Sequence, residues 1–375
     1  MRKKICFVAA ARPNFMKIAP IYNEILKFPK EFQAILVHTG QHYDKNMSDT
    51  FFDQLNIPKP NISLGLGSGT HAQQTARTMI AFETVLNEKK PDLVVVVGDV
   101  NATLACSITA KKLHIPVAHI ESGLRSFDQM MPEEINRLVT DKISDFLYTP
   151  SEDADQQLLK EGTPKENIIF VGNVMIDTLK TFKPKAAATK YFKKLGLTKQ
   201  QYITLTLHRP SNVDDKVVFK DILTALKEIS GHFTIICPIH PRTKKQIKEF
   251  KLDAYVNMDG IKKNKINLIE PIGYFEMMNL VMNSRLVLTD SGGLQEETTV
   301  LKVPCITLRE NTERPITITQ GSNHLVGTSS KKICDTFYKV SRKPQSESQI
   351  PKYWDGNTAK RIVKDLIKQS KAGRF

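Results

Sequence analysis

The sequence predicts an α/β protein made of two doubly wound, Rossmann-like parallel-sheet domains that face one cleft. Three observations carry this. Short apolar runs such as 93–97 and 116–120 are near-continuous rather than alternating, as in strands buried on both faces. Helical patterns separate these runs in both halves of the chain, the alternation that winds a parallel sheet. Residues able to do chemistry fall where strands end, which is where open α/β sheets bind ligands. At 375 residues there is chain enough for two domains.

In the first half the strands are expected at 4–10, 33–37, 93–97, 116–120, 146–149 and 168–171. The helices are expected from 15 to about 28, from 71 to about 87, from 132, and at 152–161. The turn after the first strand reads Ala-Ala-Arg-Pro-Asn and holds no glycine. A dinucleotide fingerprint needs glycines there, so a nicotinamide or flavin cofactor is not expected. Arg12 stands at the strand end instead, with Lys17 one helical turn further in, both suited to phosphate oxygens. Pro13 fits a first helical turn. Gly65-Leu-Gly-Ser-Gly follows no clear strand and lacks the P-loop Gly-Lys-Ser/Thr, so it reads as a flexible loop. The segment 180–198, rich in Lys, Ala and Pro, reads as the crossing between halves. Strands then follow at 202–207, 233–239, 266–269, 285–289 and 304–308, with helices at 216–229, 274–283 and about 358–370. The expected division is 1–172, 173–355, and a C-terminal helix within 356–375 that packs back on the first domain.

Composition narrows the class. An apolar fraction of 41% and a charged fraction of 25% suit a soluble globular protein. No apolar run approaches the ~20 residues of a membrane span, and no signal-peptide pattern precedes the first strand. The five cysteines are scattered without C-x-x-C spacing, which suggests buried thiols in a reducing cytoplasm. No His/Cys/Asp/Glu spacing matches a metal site, so no metal and no cofactor are expected. The formal charge of +15 is spread thinly along the chain. It reads as a solvated lysine surface rather than a nucleic-acid or membrane footprint, with a minority serving a phosphate-bearing ligand.

The candidate chemistry starts with two carboxylates at strand ends, Asp99 after 93–97 and Glu121 after 116–120. Glu133 and Glu134 open the next helix. Their plainer reading is as acids favoured by the helix dipole. Asp99 and Glu121 together suggest proton transfer on a bound substrate. In the second half, Thr289-Asp-Ser-Gly-Gly-Leu-Gln-Glu-Glu places a glycine turn before a helix. Ser291, Gly292 and Gly293 would let an anion meet free N–H groups, and Glu297 further along suits sugar hydroxyls. The plainer reading is an N-cap by Asp290 or Ser291. Arg314 is a second phosphate candidate or a surface salt bridge to Glu310 or Glu313. His208 beside Arg209 is a site candidate, whereas the lone His240 reads as structural. Basic groups with a helix N-terminus, and carboxylates from the other domain, suit a nucleotide-diphosphate sugar.

These motifs resemble the non-hydrolysing UDP-N-acetylglucosamine 2-epimerases. The marks are Arg12-Pro with Lys17, Thr39-Gly-Gln-His, Gly98-Asp, His119-Ile-Glu-Ser-Gly-Leu-Arg, Pro132-Glu-Glu-Ile-Asn-Arg, Gly172-Asn with Ile176-Asp, His208-Arg, Glu270-Pro, the 289–297 stretch and Thr312-Glu-Arg-Pro. The resemblance spans essentially the whole chain and implies a GT-B-like fold. It implies Asp99, Glu121, Glu133 and His208 as catalytic residues. Substrate contacts would come from Arg12, Lys17, His240, Met277, Ser291, Gly292, Gly293, Glu297 and Arg314. The implied reaction inverts C2 by anti elimination of UDP to 2-acetamidoglucal and re-addition, in a cytoplasmic homodimer that supplies cell-surface polysaccharide synthesis. Gln41, His42, Gln74 and Glu134 mark an implied allosteric UDP-GlcNAc site. The chain departs from the common pattern at Val97-Gly-Asp-Val, at Pro13-Asn14 and at Met277, where an aromatic is usual. Rival readings are another UDP-acetamido sugar, such as a diacetamido-uronic acid, a hydrolysing epimerase, and a glycosyltransferase of similar shape.

Overall fold

The structure, a computed structural model, describes residues 2–40, 52, 56, 59–342 and 348–375. The chain divides into two compact units, Met1–Thr178 with Lys352–Phe375, and Leu179–Pro351.

In the first unit the strands are β1 (Lys3–Ala9), β2 (Phe32–His38), β3 (Ile62–Ser63), β4 (Leu93–Val97), β5 (Val117–Ile120), β6 (Phe146–Thr149) and β7 (Ile168–Phe170). They form one parallel sheet in the order β3-β2-β1-β4-β5-β6-β7. Its helices are α1 (Arg12–Ile25), α2 (His71–Lys89), α3 (Asn101–Lys112), α4 (Pro132–Ile143) and α5 (Glu152–Lys160). Every residue of β4 is buried, which is why its Leu-Val-Val-Val-Val run needs no polar alternation. Cys6, Val8, Val94, Val96 and Phe82 pack in one apolar cluster of the sheet and its helix layer. Helix α6 (Val174–Thr189) carries the chain onward, and α7 (Tyr191–Lys194) follows it.

The second unit holds β8 (Tyr202–Thr206), α8 (Pro210–Val213), α9 (Lys216–Ser230), β9 (Thr234–Pro238), α10 (Pro241–Glu249), β10 (Ile266–Ile269), α11 (Tyr274–Asn283), β11 (Val287–Thr289), α12 (Gly292–Leu301), β12 (Cys305–Thr307), α13 (Ile316–Thr319), β13 (Asn323–Leu325) and α14 (Ser330–Ser341). Its parallel sheet runs β10-β9-β8-β11-β12-β13. Each sheet therefore reverses its strand order once, beside β1 and β4 in the first unit and beside β8 and β11 in the second. That reversal opens a crevice at the strands' carboxyl ends. The last helix, α15 (Thr358–Lys371), packs against α1 through a face that includes buried Ile362, Val363 and Leu366.

Most expected elements stand where the sequence places them, within a few residues at their ends. The 180–198 segment, read as the crossing between halves, is largely helical, since α6 runs through it with Pro184 inside and α7 follows. The correction falls at the glycine-rich loop at 65–69, where a strand does come just before it: the two-residue β3, which pairs with β2. All five cysteines are free and buried.

Candidate functional site

In the first unit the site grows from the adjacent ends of β4 and β5, where Val97 pairs with Ile120. The residues that follow are Gly98-Asp99 and Glu121. Glu121 is buried and holds a left-handed backbone, φ +67°, which side-chain-bearing residues adopt only when their surroundings force it. The Lys17 ammonium, on α1, lies 2.5 Å from Glu121 Oε2. The other oxygen, Oε1, is buried and has no hydrogen-bond partner among the described residues. The turns touch: a methyl group on Gly98 would lie 3.4 Å from Lys17 Nζ and 3.8 Å from Glu121 Oε2. Asn14 supports this corner, because its amide donates to the Val97 carbonyl at 3.2 Å.

Helix α4 supplies the third side. Arg137 donates to Asp99 Oδ2 from Nε at 3.0 Å and from Nη2 at 2.6 Å. Asn136 donates to the Asp99 carbonyl at 2.8 Å. Glu133 is half-buried in the first turn of α4. Its neighbour Glu134 is buried and engaged otherwise, accepting from Ser126 N–H and Oγ, Phe127 N–H and Arg137. Arg12 is exposed at the start of α1. Gln74 accepts from Asn101 at 2.9 Å and donates to the Gly69 carbonyl at 2.9 Å. Gln41 and His42 lie outside the described residues.

Sequence reasoning missed three supports on or beside α4: Arg137, Asn136 and Asp141. Asp141 accepts from His119 and Gly123 and faces Arg125 at 2.7 Å. Burial pushes its carboxyl up, but these partners outweigh burial and hold it below its ordinary value. The signal available was spacing, since Glu133, Asn136, Arg137 and Asp141 recur on one helical face.

In the second unit a cavity of about 260 Å³ opens at the carboxyl ends of β8, β9, β10 and β11. It brings together His208, His240, Met277, Ser291 and Leu294. Asp290, at the end of β11, organises it. Its Oδ2 accepts from the backbone N–H groups of His208 and Arg209, each at 2.9 Å, and Oδ1 lies 2.8 Å from His208 Nδ1. Burial pushes the Asp290 carboxyl up, and the His208 contact with these N–H groups outweighs it and draws it down. Asp290 thus orients a histidine and does not cap α12. Ser291 is the N-cap residue but makes no side-chain cap bond, so the first N–H groups of α12 are not taken by a capping side chain.

Arg314 crosses that helix start. A methyl group on Gly292 would meet its Nη1 at 2.9 Å, so the guanidinium lies directly over this turn. Arg314 is no surface salt bridge: it is largely buried, 2.6 Å from Glu296 and 3.6 Å from Glu313. Glu297 is buried and accepts from the Tyr274 hydroxyl at 2.9 Å. Burial pushes its carboxyl up to about 7; the Tyr274 bond opposes this, and Glu296 adds to it. His240 Nδ1 accepts from Arg242 N–H at 3.2 Å and so caps α10, with its ring 5.7 Å from that of His208. Among the described residues no group of three or more His, Cys, Asp and Glu is arranged to hold a metal ion. Nor, among these residues, is any helix long and apolar enough to cross a membrane.

Two parallel-sheet units with ligand-suited residues at the strand-order reversals define a Rossmann-like protein of the GT-B kind. Within that class the comparisons are specific. The family model described as UDP-N-acetylglucosamine 2-epimerase matches residues 24–367, and the chain belongs to that family. It is 44% identical to the UDP-N-acetylglucosamine 2-epimerase of Methanocaldococcus jannaschii over 97% of this chain and 98% of the relative. It is 40% identical to the UDP-2,3-diacetamido-2,3-dideoxy-D-glucuronate 2-epimerase of Pseudomonas aeruginosa, over 97% of this chain and 99% of the relative. A crystal structure of the M. jannaschii enzyme in complex with UDP-GlcNAc and UDP superposes with a TM-score of 0.88 at 43% identity, covering 97% of this chain and 99% of that one.

Proposed function

We propose that this protein reversibly inverts C2 of UDP-N-acetylglucosamine, giving UDP-N-acetylmannosamine. The observation that supports this best is the pair of carboxylates at adjacent strand ends. Glu121 there keeps one buried oxygen without a hydrogen-bond partner among the described residues, as proton uptake requires. Membership of the family and the names of the relatives point to the sugar.

The C2–H has no neighbouring carbonyl to acidify it, so its loss must be tied to loss of the diphosphate. The C2–H electrons form a C1–C2 double bond as the C1–O bond breaks on the opposite face, leaving UDP and 2-acetamidoglucal. A carboxylate holds the proton. Delivery of a proton to the other face of C2, with attack of a UDP oxygen on C1, completes the inversion and restores the bonds. Asp99, Glu121, Glu133 and His208 are assigned to proton transfer and to the positive charge that builds at C1. Arg12, Lys17 and Arg314, with the Ser291-Gly292-Gly293 helix start, are assigned to the departing diphosphate. Met277 and His240 are assigned to the uracil side and Glu297 to hydroxyls. Gln41, His42, Gln74 and Glu134 are assigned to a second, activating UDP-GlcNAc. We place the enzyme as a cytoplasmic homodimer that feeds cell-surface polysaccharide synthesis. The P. aeruginosa relative makes a diacetamido-uronate substrate the second reading.

The test is a proton NMR time course with UDP-GlcNAc in heavy water. Deuterium at C2 alongside UDP-ManNAc, with a little UDP and glucal, is the expected result. Free N-acetylmannosamine would make the enzyme a hydrolysing one. No exchange with UDP-GlcNAc, but exchange with the diacetamido-uronate, would move the assignment to the second reading.

A further inference from the structure

The side chain of His119 lies behind the two acids and not beside them. It projects from β5 and is fully enclosed. Its Nδ1 is 2.6 Å from Asp141 Oδ1, and its Nε2 is 2.8 Å from the Gly98 carbonyl oxygen. The Gly98 carbonyl can only accept, so the Nε2 contact is a donation from the ring, while Nδ1 faces the Asp141 carboxyl group. Asp141 is equally enclosed, and its Oδ2 accepts from the Gly123 N–H at 3.0 Å and faces Arg125 Nη1 at 2.7 Å.

One carboxylate therefore grips the β5 turn on both sides of Glu121, through His119 before it and Gly123 and Arg125 after it. The same imidazole grips the carbonyl of the residue before Asp99. Two features need such a grip. Glu121 holds φ +67°, a conformation that lasts only when its surroundings over-determine it. The Gly98 turn passes close to the Glu121 carboxylate, a methyl at Gly98 falling 3.8 Å from Oε2.

We infer that His119 and Asp141 are positioning residues that join the Gly98–Asp99 turn to the Glu121 turn and so set the spacing of the two acids. Neither touches the substrate. The inference rests on the reading of Asp99 and Glu121 as the acids of C2 inversion. A purely structural pair would instead hold α4 to the sheet and affect only stability.

The two ring nitrogens can be separated by substitution. His119→Asn puts an amide near the Nδ1 position, which keeps the Asp141 contact and loses the one to Gly98. His119→Gln reaches the Nε2 position and keeps the Gly98 contact. Expected in the full-length protein is a fall in kcat of at least ~10-fold in His119→Asn, as a misplaced acid gives. KM for UDP-GlcNAc and the affinity for UDP stay near wild type, C2 deuterium exchange falls in step with kcat, and His119→Gln recovers part of the loss. If His119→Asn fails to fold, Asp141→Asn keeps the shape and one acceptor oxygen, and the same split between kcat and KM is expected. Wild-type kcat in folded His119→Asn, or a loss that only tracks the unfolded fraction, would overturn the inference while leaving the epimerase reading intact. A wild-type protein that neither exchanges nor converts any UDP-acetamido sugar would overturn that reading, and this inference with it.

Discussion

The Lys17 ammonium sits 2.5 Å from Glu121 Oε2, joining α1 to the turn after β5. Both groups are largely enclosed, with side-chain exposures of 13% and 4%, so this contact is far less screened than a surface pair. Lys17 is then a partner of the acid as well as a phosphate candidate, and the two roles separate by measurement. Lys17→Met should lower kcat by ~10²-fold, the low end of what one group in proton transfer contributes. If Lys17 acts through Glu121, calorimetric affinity for UDP stays within about threefold of wild type. If it serves the departing diphosphate alone, UDP affinity falls together with kcat.

Asp99→Asn and Glu121→Gln test the acids directly. Each keeps the shape and removes the base, so turnover should fall by ~10²–10⁴-fold while UDP still binds. Full activity in both would sink the mechanism. Arg137→Met belongs with them, because Arg137 is the two-pronged support of Asp99 and also contacts Glu134. Its loss leaves Glu134 buried without a counter-charge, at a cost of roughly 3–5 kcal/mol. Thermal melting should show that destabilisation beside the lost turnover.

The α/β class, the strand sequence and the carboxylates at strand ends were legible because buried parallel strands are apolar throughout and end abruptly at polar residues. The supports were not. Asp141 looks like any helical acid in the sequence, and its pairing with His119 joins residues 22 positions apart that meet only once β5 and α4 pack. For Asp290 the sequence offered an N-cap only as the plainer reading, with nothing to show a partner in another strand. The fold turns it to His208 instead, since β8 and β11 are neighbours in the sheet. The 180–198 helices were hidden by Pro184, which ordinarily ends a helix. The shared strand order of the two sheets leaves no trace in residue identities, because the topology constrains period and polarity, not particular side chains.

Gly292→Ala is the sharpest probe of the second unit. The added methyl would meet Arg314 Nη1 at 2.9 Å, and the guanidinium is fixed by Glu296 at 2.6 Å, so it has little room to withdraw. The methyl also narrows the approach to the N–H groups of α12. Affinity for UDP should fall by about tenfold, roughly 1.4 kcal/mol at room temperature. Gly293→Ala, with no atom within 4 Å of the added methyl in the protein, should fold and melt as wild type. Its UDP affinity then reports directly on how closely the phosphate approaches the backbone.

Glu297 ties ligand binding to pH. Its carboxyl is pushed up to about 7 from an ordinary 4.5, so the folded protein retains a proton that the unfolded chain releases near 4.5. The folded state binds more protons between these values, so stability conferred by this group is full below about 4.5 and declines as pH rises towards 7. Denaturant titrations from pH 5 to 8 should show that decline, and Glu297→Gln should flatten it. Binding should run the other way. The carboxylate accepts from hydroxyls at both oxygens, whereas the protonated acid turns one into a donor. Affinity for UDP-GlcNAc should therefore rise with pH through about 7, the value at which Glu297 loses its proton. UDP-GlcNAc is the right probe because its diphosphate, esterified at both ends, does not titrate in this range, unlike the terminal phosphate of UDP. Glu297→Gln should bind more weakly and with no such slope, and a slope that persists in this variant would place the titrating group elsewhere.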